Sequence, residues 1–179
     1  MTRLLHALAL GLLGAGIVHI AVLLLVPSYS ERDAWSALSQ QANFYRTVRL
    51  DPPNAPPLIG SLDPLFDAVA CRFDLRDGVL QVHGEGPVPY WSISVHDRAG
   101  LNIFAFNDRS APQGRLDLVV ATPAQMIALR NALPPALDES VFVEAAIDEG
   151  IVVVRTFAPD ESWEPTISEW LRAVGCTLH

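Results

Sequence analysis

The sequence predicts an α+β fold: an N-terminal transmembrane helix followed by a mainly antiparallel β domain with two covering helices. Two observations lead to this prediction. The first is an uncharged apolar run from Leu4 to Val26. The second is a series of short apolar segments separated by turn residues, with helical spacing after Thr122 and again after Pro165. The roughly 150 residues that follow the apolar run suit one domain with a single core.

The apolar run is long enough to cross a membrane. At ~1.5 Å per residue it spans about 34 Å as a helix, against a hydrocarbon core of ~30 Å. Met1–Arg3 resemble the start of a secretory signal, but the run is longer than in such signals and residues 27–30 make a poor cleavage site. We therefore predict an uncleaved anchor over residues 1–27, with a cleaved signal as the alternative. The positive-inside rule places its N-terminus in the cytoplasm and the C-terminal domain in a bacterial periplasm.

Small residues recur on one stripe of this predicted span. Ala7, Gly11, Ala15 and His19 are four residues apart, a spacing that lets two helices approach closely. A homodimer or a partner helix could dock there. The alternative is a lipid-facing helix that tolerates one imidazole.

The rest of the chain divides into two parts. Residues 28–43 are predicted to form a juxtamembrane amphipathic helix, opened by a capping box at Ser28 and Glu31. Residues 44–179 are predicted to form the β-rich domain, with an extended Pro-rich loop at 51–57. A further helical turn or two is expected over Leu65–Val69, after Asp63-Pro64.

Turn residues and alternating apolar residues predict three β-hairpins. Their turns lie at Asp77-Gly78, at Asp97–Gly100 and at Glu149-Gly150. The predicted cross-strand pairs are Leu75 with Leu80 and Arg72 with His83 in the first hairpin, Trp91 with Phe106 and Ile93 with Phe104 in the second, and Phe142 with Phe157 and Glu144 with Arg155 in the third. A short buried strand is expected at Leu116–Val120.

Charge and motifs exclude several functional classes. The net charge is −8 and no basic patch is present, so the sequence predicts neither nucleic acid nor an anionic lipid surface as a ligand. No serine-hydrolase elbow, phosphate loop, dinucleotide fingerprint or paired-histidine metal motif occurs. We therefore predict no catalytic set, no metal and no cofactor.

A weak polar constellation remains. Ser92, Ser94 and His96 share one face of a predicted strand, and Asp97 directly follows it. A histidine beside a carboxylate can act as a tuned base, with Asp108 or Arg109 as further pocket candidates. Asp97 is more simply interpreted as the first residue of a turn, a position that favours aspartate.

Two cysteines, Cys71 and Cys176, are present. In an oxidising compartment they are candidates to pair, which would tie the C-terminal tail to the first strands. The alternative is two unpaired small core residues.

Several segments together resemble a known family. They are Trp91–Asp97 with Gly100, Arg155–Pro159, Trp163–Pro165, and Asp63–Phe66 with Cys71–Phe73. The chain resembles the small, single-span members of the bacterial envelope proteins grouped as domain of unknown function 1254, which occur with the sister domain 1214. The resemblance implies an inner-membrane location in a Gram-negative bacterium and implies no established activity.

Three functions remain open at this point. The first is a non-enzymatic, membrane-anchored interaction module whose partner is another protein. The second is a small-molecule or lipid-binding periplasmic domain that uses the face of Ser92, Ser94 and His96. The third is an enzyme built on His96 and Asp97.

Overall fold

A computed structural model of the chain describes residues 2–52, 57, 58, 63 and 65–179, and it describes 27–33 by their backbone alone. Most of the Pro-rich loop 51–57 and Pro64 therefore lie outside the described residues, as do the side chains of Ser28 and Glu31 in the predicted capping box. The helix backbone is continuous through residues 28–31, so no helix begins at this capping box.

The first helix, α1, runs from Thr2 to Gln41. Its segment Thr2–Val26 is long and apolar enough to cross a membrane, and the domain covers none of its apolar stretch. Further along the helix, Trp35 is half-buried and Leu38 is fully buried against the domain. The helix predicted after the span is thus the continuation of the apolar helix, and its end is part of the folded domain.

Nine strands, two further α-helices and three single-turn 3₁₀ helices follow among the described residues. The strands are β1 Thr47–Arg49, β2 Phe66–Asp74, β3 Leu80–Gly84, β4 Trp91–Asp97, β5 Asn102–Asn107, β6 Leu116–Ala121, β7 Val141–Glu144, β8 Glu149–Phe157 and β9 Gly175–Leu178; the helices are α2 Pro123–Asn131 and α3 Glu164–Ala173. The strands form two sheets. Sheet A has the order β1-β2-β8-β4-β5 and sheet B has the order β7-β6-β3-β9. The strand pairings described are antiparallel except for the parallel pair β6 and β7. The predicted α+β class is confirmed.

One hydrophobic core lies between the two sheets. Each strand points alternate side chains inward, so the buried residues of both sheets meet in a single cluster. Its members from the sheets include Val69, Cys71, Phe73, Val82, Ile93, Val95, Leu118, Val120, Val152, Val154 and Cys176. Burial of this apolar surface is the main favourable contribution to folding.

Helix α2 covers the outer face of sheet B. The Thr122 hydroxyl accepts a hydrogen bond from the Gln125 amide at 3.3 Å, and the Gln125 side chain accepts one from the Thr122 amide at 2.8 Å. This capping box starts the helix where the sequence predicts. Met126 and Leu129 then pack against the outer face of sheet B.

Helix α3 closes the core instead of covering a face. Ile167, Trp170 and Leu171 are buried in the cluster between the sheets, together with Val174 just after the helix. The predicted apolar face of this helix is therefore confirmed, and its role is to fill the core.

The first predicted hairpin is wrong. Strand β2 lies between β1 and β8 in sheet A, whereas β3 lies between β6 and β9 in sheet B. Arg72 is opposite Ile151, and His83 is opposite Asp117 and Gly175. The alternation of apolar and polar residues identifies the inward face of a strand but not its hydrogen-bonded neighbour. Two strands that contribute to the same core from opposite sheets were therefore predicted to pair.

The third predicted hairpin fails for the same reason. Strand β7 pairs with β6 in sheet B, where Phe142 is opposite Val119. Strand β8 is in sheet A, where Phe157 is opposite Phe66. The short helix expected at Leu65–Val69 is also wrong, because strand pairing with β8 begins at Phe66 and overrides the local Asp-Pro signal.

The second hairpin, β4 with β5, is confirmed, but its register differs by two residues. Ile93 lies opposite Phe106 and Val95 opposite Phe104, with a bulge next to His96. A shift of two residues keeps every side chain on its predicted face. Trp91 and Phe106 still contact each other diagonally, with ring centroids 5.5 Å apart.

A disulfide joins the two sheets. Cys71 on β2 is bonded to Cys176 on β9, with the Cα atoms 6.6 Å apart and a sequence separation of 105 residues. Both residues are buried in the core. The bond therefore ties the centre of sheet A to an edge of sheet B.

Replacing both cysteines, in C71A/C176A, should lower the free energy of unfolding by about 4 kcal/mol, because the bond closes a loop of roughly 100 residues in the unfolded chain. Denaturant unfolding of both proteins, with and without reductant, checks this. Reductant should reduce the stability of the wild type to about that of the variant and leave the variant unchanged. Two alkylatable thiols in unreduced, denatured wild type would contradict the bond.

Candidate functional site

The predicted polar constellation does not form one site. His96 and Asp97 lie at one end of the β4–β5 hairpin, where His96 is opposite Asn102. Asp108 and Arg109 lie beyond the other end, where Asn107 is opposite Ser92. The length of a strand, on the order of 17 Å, separates the two pairs. No shared reaction centre can include His96 and Asp108 in this arrangement.

His96 is held by the turn that follows it. Its Nδ1 lies 3.2 Å from the Gly100 carbonyl, and its Nε2 lies 2.9 Å from the Ser94 hydroxyl. Since a carbonyl only accepts, Nδ1 donates to Gly100, while Nε2 and the Ser94 hydroxyl share the second hydrogen bond. The Asp97 carboxylate accepts from the Leu101 amide at 2.9 Å. Both side chains therefore stabilise the β4–β5 turn.

The outer face of sheet A, which carries Ser92, Ser94 and His96, is partly covered. Leu38 of α1 is buried there together with Ala68, Ala70 and Ile151. Strand β4 lies beside β8, and its three polar residues remain half-buried next to the covered area. The end of α1 occupies part of the face that the sequence suggested as a ligand cleft.

An arginine–aromatic stack, formed by Trp35, Phe44, Arg72 and Arg98, fixes the end of α1 to sheet A. The Arg72 guanidinium lies 5.1 Å from the centre of the Trp35 ring and 4.7 Å from that of Phe44. Arg98 from the β4–β5 turn lies 5.1 Å from the Trp35 ring. Trp35 therefore contacts two cations, and Arg72 contacts two rings.

Arg72 is a buried cation without a carboxylate partner among the described residues. It is 9% exposed, and its Nε has no hydrogen-bond acceptor there. Burial lowers the pKa of this guanidinium, against the more distant charge of Glu149. Its Nη2 donates to the Ala42 carbonyl at 2.8 Å, just after the last residue of α1. The negative end of the helix dipole thus partly replaces a counter-ion.

A chain of ion pairs continues from the stack. Glu149 binds Arg98 and Arg76, each at 2.8 Å, and Arg76 also binds Asp74. The Arg76 guanidinium lowers the pKa of Asp74, which is itself buried. The Tyr45 hydroxyl donates to the backbone carbonyl of Asp74. The chain of contacts therefore runs from the helix end to three strand ends of sheet A.

A second charged cluster joins α3 to strands β1 and β2. Arg49 contacts Asp67 at 2.7 Å, Glu164 at 3.1 Å and the Ser168 hydroxyl at 2.5 Å. Burial opposes the charge of Glu164, but hydrogen bonds from Ser168 and Arg49 outweigh it and lower its pKa. This cluster was not predicted from the sequence, because its members come from distant segments of the chain.

The largest cavity of those described lies beside this cluster. Its volume is about 550 Å³, and its lining includes Thr47, Arg49, Ser168 and Arg172. Arg49 is paired with two carboxylates, and with Arg172 the four charges sum to zero, which leaves no excess charge to attract an ion. A smaller apolar groove of about 250 Å³ lies on α2, lined by Met126, Leu129, Arg130, Leu133 and Phe142. Within the described part of the chain, no cluster of three or more His, Cys, Asp or Glu side chains could hold a metal ion.

Comparisons with known proteins show the fold alone. No protein-family model and no curated protein match the chain. A solved structure of the VPA0106 protein from Vibrio parahaemolyticus is similar, with a TM-score of 0.59 and 13% identity over 84% of this chain and 35% of that one. A putative uncharacterized protein from Burkholderia cenocepacia has a TM-score of 0.48 and 20% identity over 76% of this chain and 37% of that one. The chain thus spans about a third of the length of these proteins.

The pH dependence of stability should depend on Asp74. Because its pKa is lowered in the folded protein, the ion pair stabilises the fold above the unfolded pKa of about 3.9, and this stabilisation is lost as the pH falls through the folded value. Unfolding free energies at pH 6 and pH 3 should therefore differ less in D74N than in the wild type. D138N, at an exposed carboxylate, should behave like the wild type. Parallel curves for D74N and the wild type would contradict this assignment.

Removing Arg49 should destabilise the domain. R49M leaves Asp67 and Glu164 without their shared cation, at an expected cost on the order of 2 kcal/mol. Denaturant unfolding measures this loss. R130M, at an exposed arginine on α2, is the matched control and should change the stability by less than about 0.5 kcal/mol. Equal stability of R49M and R130M would show that the Arg49 cluster contributes nothing to the free energy of unfolding.

Proposed function

We propose that this protein is a membrane-anchored domain on the periplasmic side of a bacterial inner membrane and that it acts by binding another protein rather than by catalysis. The observation that carries the proposal is α1. Its first part, Thr2–Val26, is apolar enough to cross a membrane. Its last turns bury Leu38 against sheet A. A helix that is built into the domain at one end is suited to be a permanent anchor, with its N-terminus in the cytoplasm.

The disulfide supports the periplasmic side. Cys71 and Cys176 are bonded and buried, and lasting disulfides form mainly in oxidising compartments. The net charge of −8 gives the domain no general attraction to nucleic acid or to anionic lipid. These features suit a domain that stands beside a membrane surface without adhering to it.

The separation of the polar constellation favours binding over catalysis. His96 and Asp108 lie at opposite ends of one hairpin, so they supply no common acid–base centre. In VPA0106 the similar fold is joined covalently to further chain, since the match covers 35% of that protein. By analogy, the present domain associates with a separate protein. We propose that the chain belongs with domain of unknown function 1254 and that its partner carries the sister domain 1214.

A small-molecule or lipid-binding role is the second candidate, and the groove on α2 favours it. The groove is lined by four apolar side chains and Arg130. An apolar chain with an anionic head group matches that composition. Displacement of a fluorescent fatty acid from the delipidated protein, absent in M126W, would support this candidate.

The membrane topology provides the first test of the proposal. Alkaline phosphatase fused to the C-terminus should be active in intact bacteria, since that enzyme matures only in the periplasm. R3E should lower this activity, because it removes the N-terminal positive charge that holds the helix end in the cytoplasm. The intact mass of the protein should retain residues 1–27. An inactive fusion would contradict the topology, and a mass lacking this segment would show a cleaved signal.

Association provides the second test. Cross-linking in intact cells, followed by purification in mild detergent, should recover a second protein in stoichiometric amount. G11I blocks the Ala7-Gly11-Ala15-His19 stripe, whereas G14I places the same side chain off the stripe. Loss of the complex only in G11I would place the contact in the membrane, and its survival in both variants would place it on the soluble domain. A monomer without any partner would contradict the proposed function.

A further inference from the structure

The end of α1 meets sheet A through the apolar contacts of Leu38 and through one buried cation, Arg72. Trp35 lies before the helix end and Phe44 lies after it, yet both rings contact the same guanidinium, at 5.1 and 4.7 Å. The Tyr45 amide also donates to the Arg72 carbonyl at 2.9 Å. One residue of strand β2 therefore holds the last turns of the helix and the segment that leaves it.

The contact depends on charge as well as on packing. Arg72 projects from the outer face of β2, is 9% exposed, and has no carboxylate partner among the residues that the structure describes. An unpaired buried cation is costly unless other groups stabilise it. Here those groups are the Ala42 carbonyl at 2.8 Å, the C-terminal end of the α1 dipole and two aromatic faces. The charge is therefore satisfied only while α1 is docked.

Arginine fits this position better than lysine. Its planar guanidinium can lie against two rings at once while one edge still donates a hydrogen bond. A lysine ammonium is a compact point charge and cannot stack in this way. A methionine would fill the space without any charge for the helix dipole to bind.

Cys71, the residue before Arg72, links this contact to sheet B. Adjacent residues of a strand point to opposite faces, so Cys71 faces the core and is bonded to Cys176 of sheet B. Two consecutive residues of β2 therefore tie α1, sheet A and sheet B together.

We propose that Arg72 is the joint that couples the membrane helix to the domain, holding α1 at a fixed position on sheet A so that the domain moves with the span. The role in a membrane rests on the proposed anchoring by α1; the joint itself is a property of the fold. Two further charged groups lie near the Arg72 guanidinium. Arg98 contacts the same Trp35 ring, and Glu149 forms an ion pair with Arg98.

Hydrogen exchange of the full-length protein in detergent micelles tests the joint. In R72M, amides of residues 38–46 should exchange at least tenfold faster than in the wild type, while amides of β6 should keep their rates. R72K, which keeps the charge but cannot stack, should lie between the two. R130M, at an exposed arginine on α2 outside this ion-pair chain, is the matched control and should leave residues 38–46 unchanged.

The outcomes separate the joint from the proposed function. Wild-type rates at residues 38–46 in R72M, or an equal increase across all strands, would overturn the joint. An inactive phosphatase fusion combined with selective exchange in R72M would leave the joint standing and remove the periplasmic anchor. If R72M fails to fold, the selective increase is sought in R72K, and wild-type rates there overturn the proposal.

Discussion

The structure depends on the tie that strand β2 makes at Cys71 and Arg72. On the inner face, the disulfide to Cys176 joins sheet A to sheet B. On the outer face, the arginine binds the end of α1 between two aromatic rings. Strand β2 is paired on both sides, with β1 and β8, so neither attachment can move without disturbing the sheet. Three layers of the molecule are thereby fixed at one point of the chain.

Electrostatics reinforces the same region. A cation buried without a carboxylate would destabilise a domain core, yet the helix end and the rings of Trp35 and Phe44 supply compensating charge. The ion pairs of Glu149 then extend the contact to neighbouring strand ends. One of the polar clusters of the domain thus lies at the attachment of the apolar helix, whereas the core between the sheets is apolar.

The sequence predicted local features well and strand neighbours poorly. The capping box at Thr122, the apolar face of α3 and the β4–β5 hairpin were all correct, because each depends on residues close together in sequence. The hairpins at Asp77 and Glu149 were wrong. Apolar and polar residues alternate in the same way whether two consecutive strands are hydrogen-bonded in one sheet or pack against each other from opposite sheets. The predicted polar site also failed, since His96 and Asp108 are near in sequence but lie about the length of a strand apart.

The sequence by itself determined the apolar helix, the α+β class and the inward face of most strands, because these follow from composition and periodicity. It also identified the two cysteines without deciding whether they pair. Only the tertiary structure decided that Cys71 meets Cys176 and that Arg72 meets the end of α1. Such contacts join residues about 30 to 105 positions apart, so they exist only after both sheets and the helix have packed. The organisation of the protein around its N-terminal helix is therefore a property of the fold.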